Sequence, residues 1–160
     1  MKLKQLKIKN FRGYSNETVV NFDDFTAFVG KNDIGKSSVL EALDIFFNDG
    51  SGVVKIEKDD VNASLRADDN EIVISAVFDD LPDRIVIDAT NETTLSDEYL
   101  LNNDGYLEVV KKYPNGGKAK VFILANHPSN ANCNALLLLK SADLRAFPRK
   151  CGSKSLRSAG

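Results

Sequence analysis

Apolar and polar positions alternate from the start of the chain, with Leu6 and Ile8 set against Lys7 and Lys9. That period predicts a half-buried strand. Residues 10–16, Asn-Phe-Arg-Gly-Tyr-Ser-Asn, break the pattern as a turn, and residues 18–22 resume as a second strand. Asp23 and Asp24 separate it from an apolar run at 25–29, Phe-Thr-Ala-Phe-Val, which predicts a third strand. Residues 38–47 then take helical spacing, with Val39, Leu43 and Phe46 or Phe47 on the packing face. Asn48-Asp49-Gly50 stops that helix, with Gly50 as the expected left-handed cap. The segment 51–70 is polar apart from Val53-Val54-Lys55-Ile56. Strand patterning returns at 71–78, where Ile72, Ile74, Ala76 and Phe78 share one face. It returns again at 85–87, 106–113 and 118–124, and the last two flank a Pro114-Asn115-Gly116-Gly117 turn. The links are too short for parallel crossovers, so these strands predict an antiparallel meander. Residues 134–147 are a candidate helix whose four consecutive leucines, 136–139, leave the period open. Residues 148–160 have little to bury and read as a disordered tail. The fold class that follows is α/β with α+β character, and no internal repeat is visible.

Composition sharpens this only in part. A chain of 160 residues with 42% hydrophobic content supports one domain with its own core. The net charge of −2 conceals basic ends and an acidic middle. Lys2, Lys4, Lys7, Lys9 and Arg12 face only Glu17 near the start. Lys140, Arg145, Arg149, Lys150, Lys154 and Arg157 face only Asp143 near the end. Basic ends could meet nucleic acid, but a solvated strand face and a loose tail explain them more simply. Cys133 and Cys151 form no disulfide framework and no zinc pattern, which fits a cytoplasmic protein with free thiols. No apolar run reaches the ~20 residues of a membrane span, and no apolar signal core follows the first lysines.

The chemistry concentrates at Gly30-Lys31-Asn32-Asp33-Ile34-Gly35-Lys36-Ser37, which fits the phosphate-binding pattern G-x-x-x-x-G-K-[ST]. A strand entering it and a helix leaving it supply the context this motif requires. Gly30 and Gly35 allow backbone angles that turn N–H groups toward a phosphate, and the helix dipole adds to that field. Lys36 would bridge the β- and γ-phosphates of ATP, Ser37 would ligate Mg²⁺, and Ser38 would donate toward the α-phosphate. Hydrolysis needs a further carboxylate on a neighbouring strand. Asp88 follows an apolar run but precedes Ala89, and Asp79-Asp80 closes a strand whose alternation predicts one exposed face. Both read as strand-end acids, not catalytic ones. His127, the only histidine, precedes Pro128 and reads as a loop residue.

The lead-in Leu6-Lys7-Ile8-Lys9-Asn10-Phe11-Arg12-Gly13-Tyr14, followed by the P-loop and Ser38, resembles the opening of SMC, RecF and OLD-family ABC-type ATPases. Glu41-Ala42-Leu43 also suits that group. Residues 78–82 and 98–102 look most like OLD-type ATP-dependent endonucleases. The resemblance implies a P-loop NTPase fold, with residues 1–147 as the N-terminal half of an ABC-type head carrying an antiparallel β lobe. It implies Arg12 near the phosphates, and Asn32, Asp33, Ile34, Gly35, Lys36, Ser37 and Ser38 around them. It implies heads working in pairs with ATP sandwiched between them, and DNA as partner of the parent protein in repair or phage defence. The signature motif, a Walker B strand, a switch histidine and Toprim-like acids are not found, and Gln5 is the only glutamine. The chain is therefore expected to be an N-terminal fragment that holds Mg-ATP without completing catalysis. Two alternatives stand beside it. One is a self-sufficient small P-loop NTPase or kinase, for which no Asn-Lys-x-Asp guanine motif is present. The other is an interaction module with a vestigial P-loop.

Overall fold

A computed structural model describes residues 1–30, 35–49, 52–88 and 91–126. The fold is mixed α/β, built on a five-stranded antiparallel sheet. Strands β1 (Lys2–Lys9), β2 (Thr18–Asn21), β3 (Glu71–Asp79), β6 (Leu107–Pro114) and β7 (Lys120–Leu124) lie in the order β2-β1-β3-β6-β7. A separate ribbon pairs β4 (Ile85–Asp88) with β5 (Asn91–Thr93). One helix, α1 (Lys36–Asn48), packs on one face of the sheet. These elements belong to one compact unit, Met1–Ala125. The candidate helix at 134–147, His127, both cysteines and the tail at 148–160 lie outside the described residues.

Register decides which side chains meet α1. Leu6 stands opposite Ala76, Ile8 opposite Ile74, and Ile72 opposite Tyr113. Cross-strand partners share a face, so these six residues form one apolar floor, all buried. Val39, Ala42, Ile45 and Phe46 of the helix close over it. Ala42 lets the helix approach the sheet closely, which rotates the packing face away from the expected Val39–Leu43 line. Leu43 is only partly buried and Phe47 is 55% exposed.

Two strand expectations are corrected. The run at 25–29 is not a strand, since among the described residues nothing hydrogen-bonds to it as a ladder neighbour. Phe28 packs edge-on against Phe22 at 6.1 Å, but Phe25 and Val29 stand 86% and 92% exposed. A strand is defined by its partners, and apolar content alone does not supply them. Conversely, β3 is not half-exposed. It is the middle strand, and Ser75 and Val77 on its second face are buried as well.

That second face is polar and internally paired. Glu108 accepts from Lys7 Nζ at 2.7 Å, Ser75 Oγ at 2.9 Å and Asn102 Nδ2 at 3.2 Å. Lys9 pairs with Asp69, Lys112 with Glu71, and Lys4 with Asp79. The β6–β7 turn uses Asn115 and Gly116 in left-handed conformations, as its sequence signals. A Cβ on Gly116 would stand 2.2 Å from the Glu57 carbonyl oxygen, so glycine is required there twice over.

Candidate functional site: the start of the P-loop helix

The site is assembled at the N-terminus of α1. Gly35 is the N-cap, in a left-handed conformation at φ 77°. A side chain there would be strained, and its Cβ would fall 2.8 Å from the Tyr14 hydroxyl. Tyr14 donates that hydroxyl to the Gly35 carbonyl at 3.2 Å, while Val39 N–H donates to the same oxygen at 3.2 Å. The lead-in turn thus braces the glycine that opens the helix. Helix formation begins at Lys36, two residues earlier than the sequence pattern predicts.

Gly35 has no side chain to cap this N-terminus, and among the described residues no acidic residue sits in its first turn. The first N–H groups of a helix have no intrahelical acceptor, and the dipole leaves that end positive. Lys36 Nζ folds back to donate to the Gly30 carbonyl at 2.5 Å, bringing the two ends of the P-loop together. Gly30 has φ 152°. Ser37 is exposed and Ser38 half-buried beside it. Gly30, Gly35, Lys36, Ser37 and Ser38 therefore gather in one place, and their chemistry suits an anionic phosphate chain. Asn32, Asp33 and Ile34 lie outside the described residues. Among the described residues no cluster of three or more His, Cys, Asp or Glu side chains could hold a metal ion.

The opposite end of α1 is secured from β6. Lys111, on the helix-facing side of the sheet, donates to the Phe46 carbonyl at 2.6 Å and pairs with Asp49. Tyr113 donates to the Ile45 carbonyl at 3.4 Å. Burial, with Asp49 nearby, pushes the Tyr113 phenol up to about 12. Asp49 is left-handed at φ 49° where the helix ends, and Gly50, the expected cap, lies outside the described residues. The helix has no basic residue in its last turn, so Lys111 supplies the positive charge that the dipole favours.

Arg12 lies on the flank of α1. Its guanidinium meets Glu41 of the helix and donates through Nε to Asp60 at 2.8 Å. Phe11 is fully buried in the core, and the Asn10 amide donates to the carbonyls of Asp69 and Glu71. The Asn-Phe-Arg-Gly-Tyr turn is thus a structural knot tying β1, the loop near 60 and the P-loop helix together. Tyr14, Glu41 and Asp60 were not picked out as site residues by sequence. Tyr14 and Glu41 lie in the stretches that carry the family resemblance, while no local pattern marks Asp60.

The acids considered for hydrolysis sit elsewhere. The Asp80 N–H and Lys4 hold the Asp79 carboxyl below the usual carboxylate range, and Lys4 contacts it at 3.2 Å. Asp80 pairs with the N-terminal amine. Both line a cleft of about 900 Å³ with Lys2, Lys4, Asp23 and Asp24, at the opposite end of β1 from Tyr14. That cleft is mixed in charge and crossed by the Lys2–Asp24 pair at 2.8 Å. It lacks the glycines and open helix end of the P-loop.

A family model described as an AAA ATPase domain matches residues 1–154. Over 44 residues the chain is 46% identical to the chromosome partition protein Smc of Halobacteriovorax marinus, a stretch that is 27% of this chain and 4% of that protein. Among solved structures, the SMC head domain from Thermotoga maritima aligns at 18% identity and a TM-score of 0.45, covering 79% of this chain and 38% of that one. Another structure is described as the structural biochemistry of ATP-driven dimerization and DNA-stimulated activation of SMC ATPases. It aligns at 13% identity and a TM-score of 0.51, covering 95% of this chain and 100% of that one. The second likeness supports the fold. The chain spans only a small part of the Smc protein and well under half of the Thermotoga head.

Proposed function

The chain belongs to the AAA ATPase domain family, and on that premise we propose that it is a Mg-ATP-binding segment of an SMC- or RecF-like ATPase head. The observation that carries this reading is the start of α1, opened by a left-handed glycine and free of first-turn acids, with Gly30 and Lys36 drawn together beside it. Gly30, Asn32, Asp33, Ile34, Gly35, Lys36, Ser37 and Ser38 bind the phosphates in this proposal. Ser37 ligates Mg²⁺, and Arg12 stands beside the nucleotide. Bound Mg²⁺ would neutralise the phosphate charge.

Apolar exposure supports a partner half. Phe25, Val29, Leu40, Phe47 and Val53 are exposed on the P-loop's lead-in, on the helix it opens and on the segment that follows. Such a surface favours a second protein body, here the complementary part of a head or a second head across ATP. The SMC ATPases of the aligned structure are described as dimerizing in an ATP-driven way. The finer proposal is a cytoplasmic OLD-type ATP-dependent endonuclease as parent, acting on DNA in repair or phage defence. It rests on the resemblance of residues 78–82 and 98–102. The lysines of β1 are occupied by ion pairs, so DNA contact is assigned to the assembled parent.

Calorimetric titration of the full chain with Mg-ATP tests the reading. Wild type binds, and Lys36→Ala weakens binding at least about tenfold, with negligible phosphate release by the isolated chain. Equal affinity in the two proteins would sink the nucleotide site. Turnover at about 1 s⁻¹ or faster would sink the incomplete-head assignment.

A further inference from the structure

Arg12 is the cation most tightly built into the flank of the P-loop helix. Its backbone is left-handed at φ 47°, a conformation disfavoured for a side chain of this size. Its N–H donates to the Asp60 carbonyl at 2.6 Å, and its carbonyl accepts from Asn62 Nδ2 at 2.5 Å. The root of the side chain is therefore fixed, and only its outer torsions are left to move. The guanidinium lies 5.1 Å from the centre of the Phe11 ring. Two carboxylates share it, Asp60 at Nε and Glu41 at an Nη.

The two acids differ in kind. Asp60 ends a short 3-10 helix, Lys58–Asp60, and its second oxygen accepts the Glu57 N–H at 2.8 Å. Glu41 belongs to the helix, six residues beyond Gly35 and so about 9 Å along the axis from the phosphate end. One guanidinium between two carboxylates leaves an excess negative charge there, about two-thirds buried. A polyphosphate at the helix N-terminus would lie within about a Debye length of this cluster. It would repel Glu41 and attract Arg12. A guanidinium carries five N–H donors in a planar fork, so Nε can stay on Asp60 while the Nη groups change partner.

We propose that Glu41 is a positioning residue that latches Arg12 against α1, and that a bound nucleoside triphosphate competes with it for the guanidinium. The proposal rests on the nucleotide-binding reading of the same site. A triphosphate competes better than a diphosphate because it carries more charge.

The test is calorimetric titration of the full chain with Mg-ATP and with Mg-ADP. It compares wild type, Glu41→Gln, Arg12→Gln and the double variant. Glu41→Gln binds Mg-ATP roughly threefold to tenfold tighter and Mg-ADP with a smaller gain, and the gain vanishes in the Arg12→Gln background. A purely structural Glu41 would lower the melting temperature and leave the ATP-to-ADP ratio unchanged, which overturns the latch. A gain that persists without Arg12 overturns it too. If Glu41→Gln does not fold, Glu41→Asp withdraws the carboxylate by one methylene and is read the same way, with a smaller gain expected. Wild type that binds neither nucleotide, like Lys36→Ala, overturns the site and the latch together. Binding with an unaltered ratio in the Glu41 variants overturns the latch alone.

Discussion

Lys111 shows how much a single residue carries in this fold. It is a charged side chain buried at a helix C-terminus, holding the Phe46 carbonyl and the Asp49 carboxylate. Lys111→Met keeps the chain length and removes the donor, leaving that carbonyl without its partner. The expected cost is about 1–3 kcal/mol, read as a lower urea midpoint with an unchanged slope. An unmoved midpoint would show that the cap contributes nothing. Such residues explain what the sequence hides. Gly35 and Lys36 were legible because the P-loop demands glycine and lysine at fixed spacing. Lys111 was not, because its partner lies 65 residues away and any alternating strand can carry a lysine. The left-handed Asp49 at the end of the helix was hidden in the same way, since Lys111 holds its carboxylate from another element.

Among the elements, β3 departs most from its pattern. Its Ile72, Ile74, Ala76 and Phe78 face was readable, since period-2 alternation names one buried side. Burial of its other face depends on neighbours supplied by Lys7, Glu108 and Asn102, which no local window contains. That buried network makes an acid-range prediction. Burial pushes the Glu108 carboxyl up, but hydrogen bonds from Lys7, Asn102 and Ser75 outweigh it and hold the group below its ordinary 4.5. A depressed carboxyl stabilises the fold fully above that value, and the contribution drains away as pH falls through the folded-state value. Wild type therefore loses stability below about pH 4.5 more steeply than Glu108→Gln does. Parallel urea-midpoint curves for the two proteins from neutral to acid pH would exclude Glu108 as the source. The run at 25–29 failed in the opposite sense: its apolar content was visible, but the ladder partners that make a strand were not.

At the scale of the whole molecule, the described residues leave a patchwork of exposed apolar side chains around a well-filled core. The core was largely legible, because the residues of the floor beneath α1 fall on alternating positions of β1, β3 and β6. The exposed set at Phe25 and Val29 was legible only as hydrophobicity, and its lack of cover emerged from the fold. Replacing both residues with serine removes apolar surface without touching the packed floor. The double variant is expected to keep its melting temperature within about 2 °C, as surface changes usually do. Its concentration-dependent association, followed by analytical ultracentrifugation, should be reduced. A large fall in melting temperature would mean that the two side chains belong to the core after all.

The paired lysines of β1 carry a consequence for how this chain meets ions. Lys2, Lys4, Lys7 and Lys9 each find a carboxylate from the acidic middle of the sequence, on Asp24, Asp79, Glu108 and Asp69. Folding thus forms a small intramolecular polyelectrolyte complex, in which one block of the polymer serves as counterion to another. A polyanion approaching this face meets charges already condensed onto their own partners. It must exchange with those carboxylates before it gains anything, so it releases far fewer mobile counterions than a bare row of lysines would.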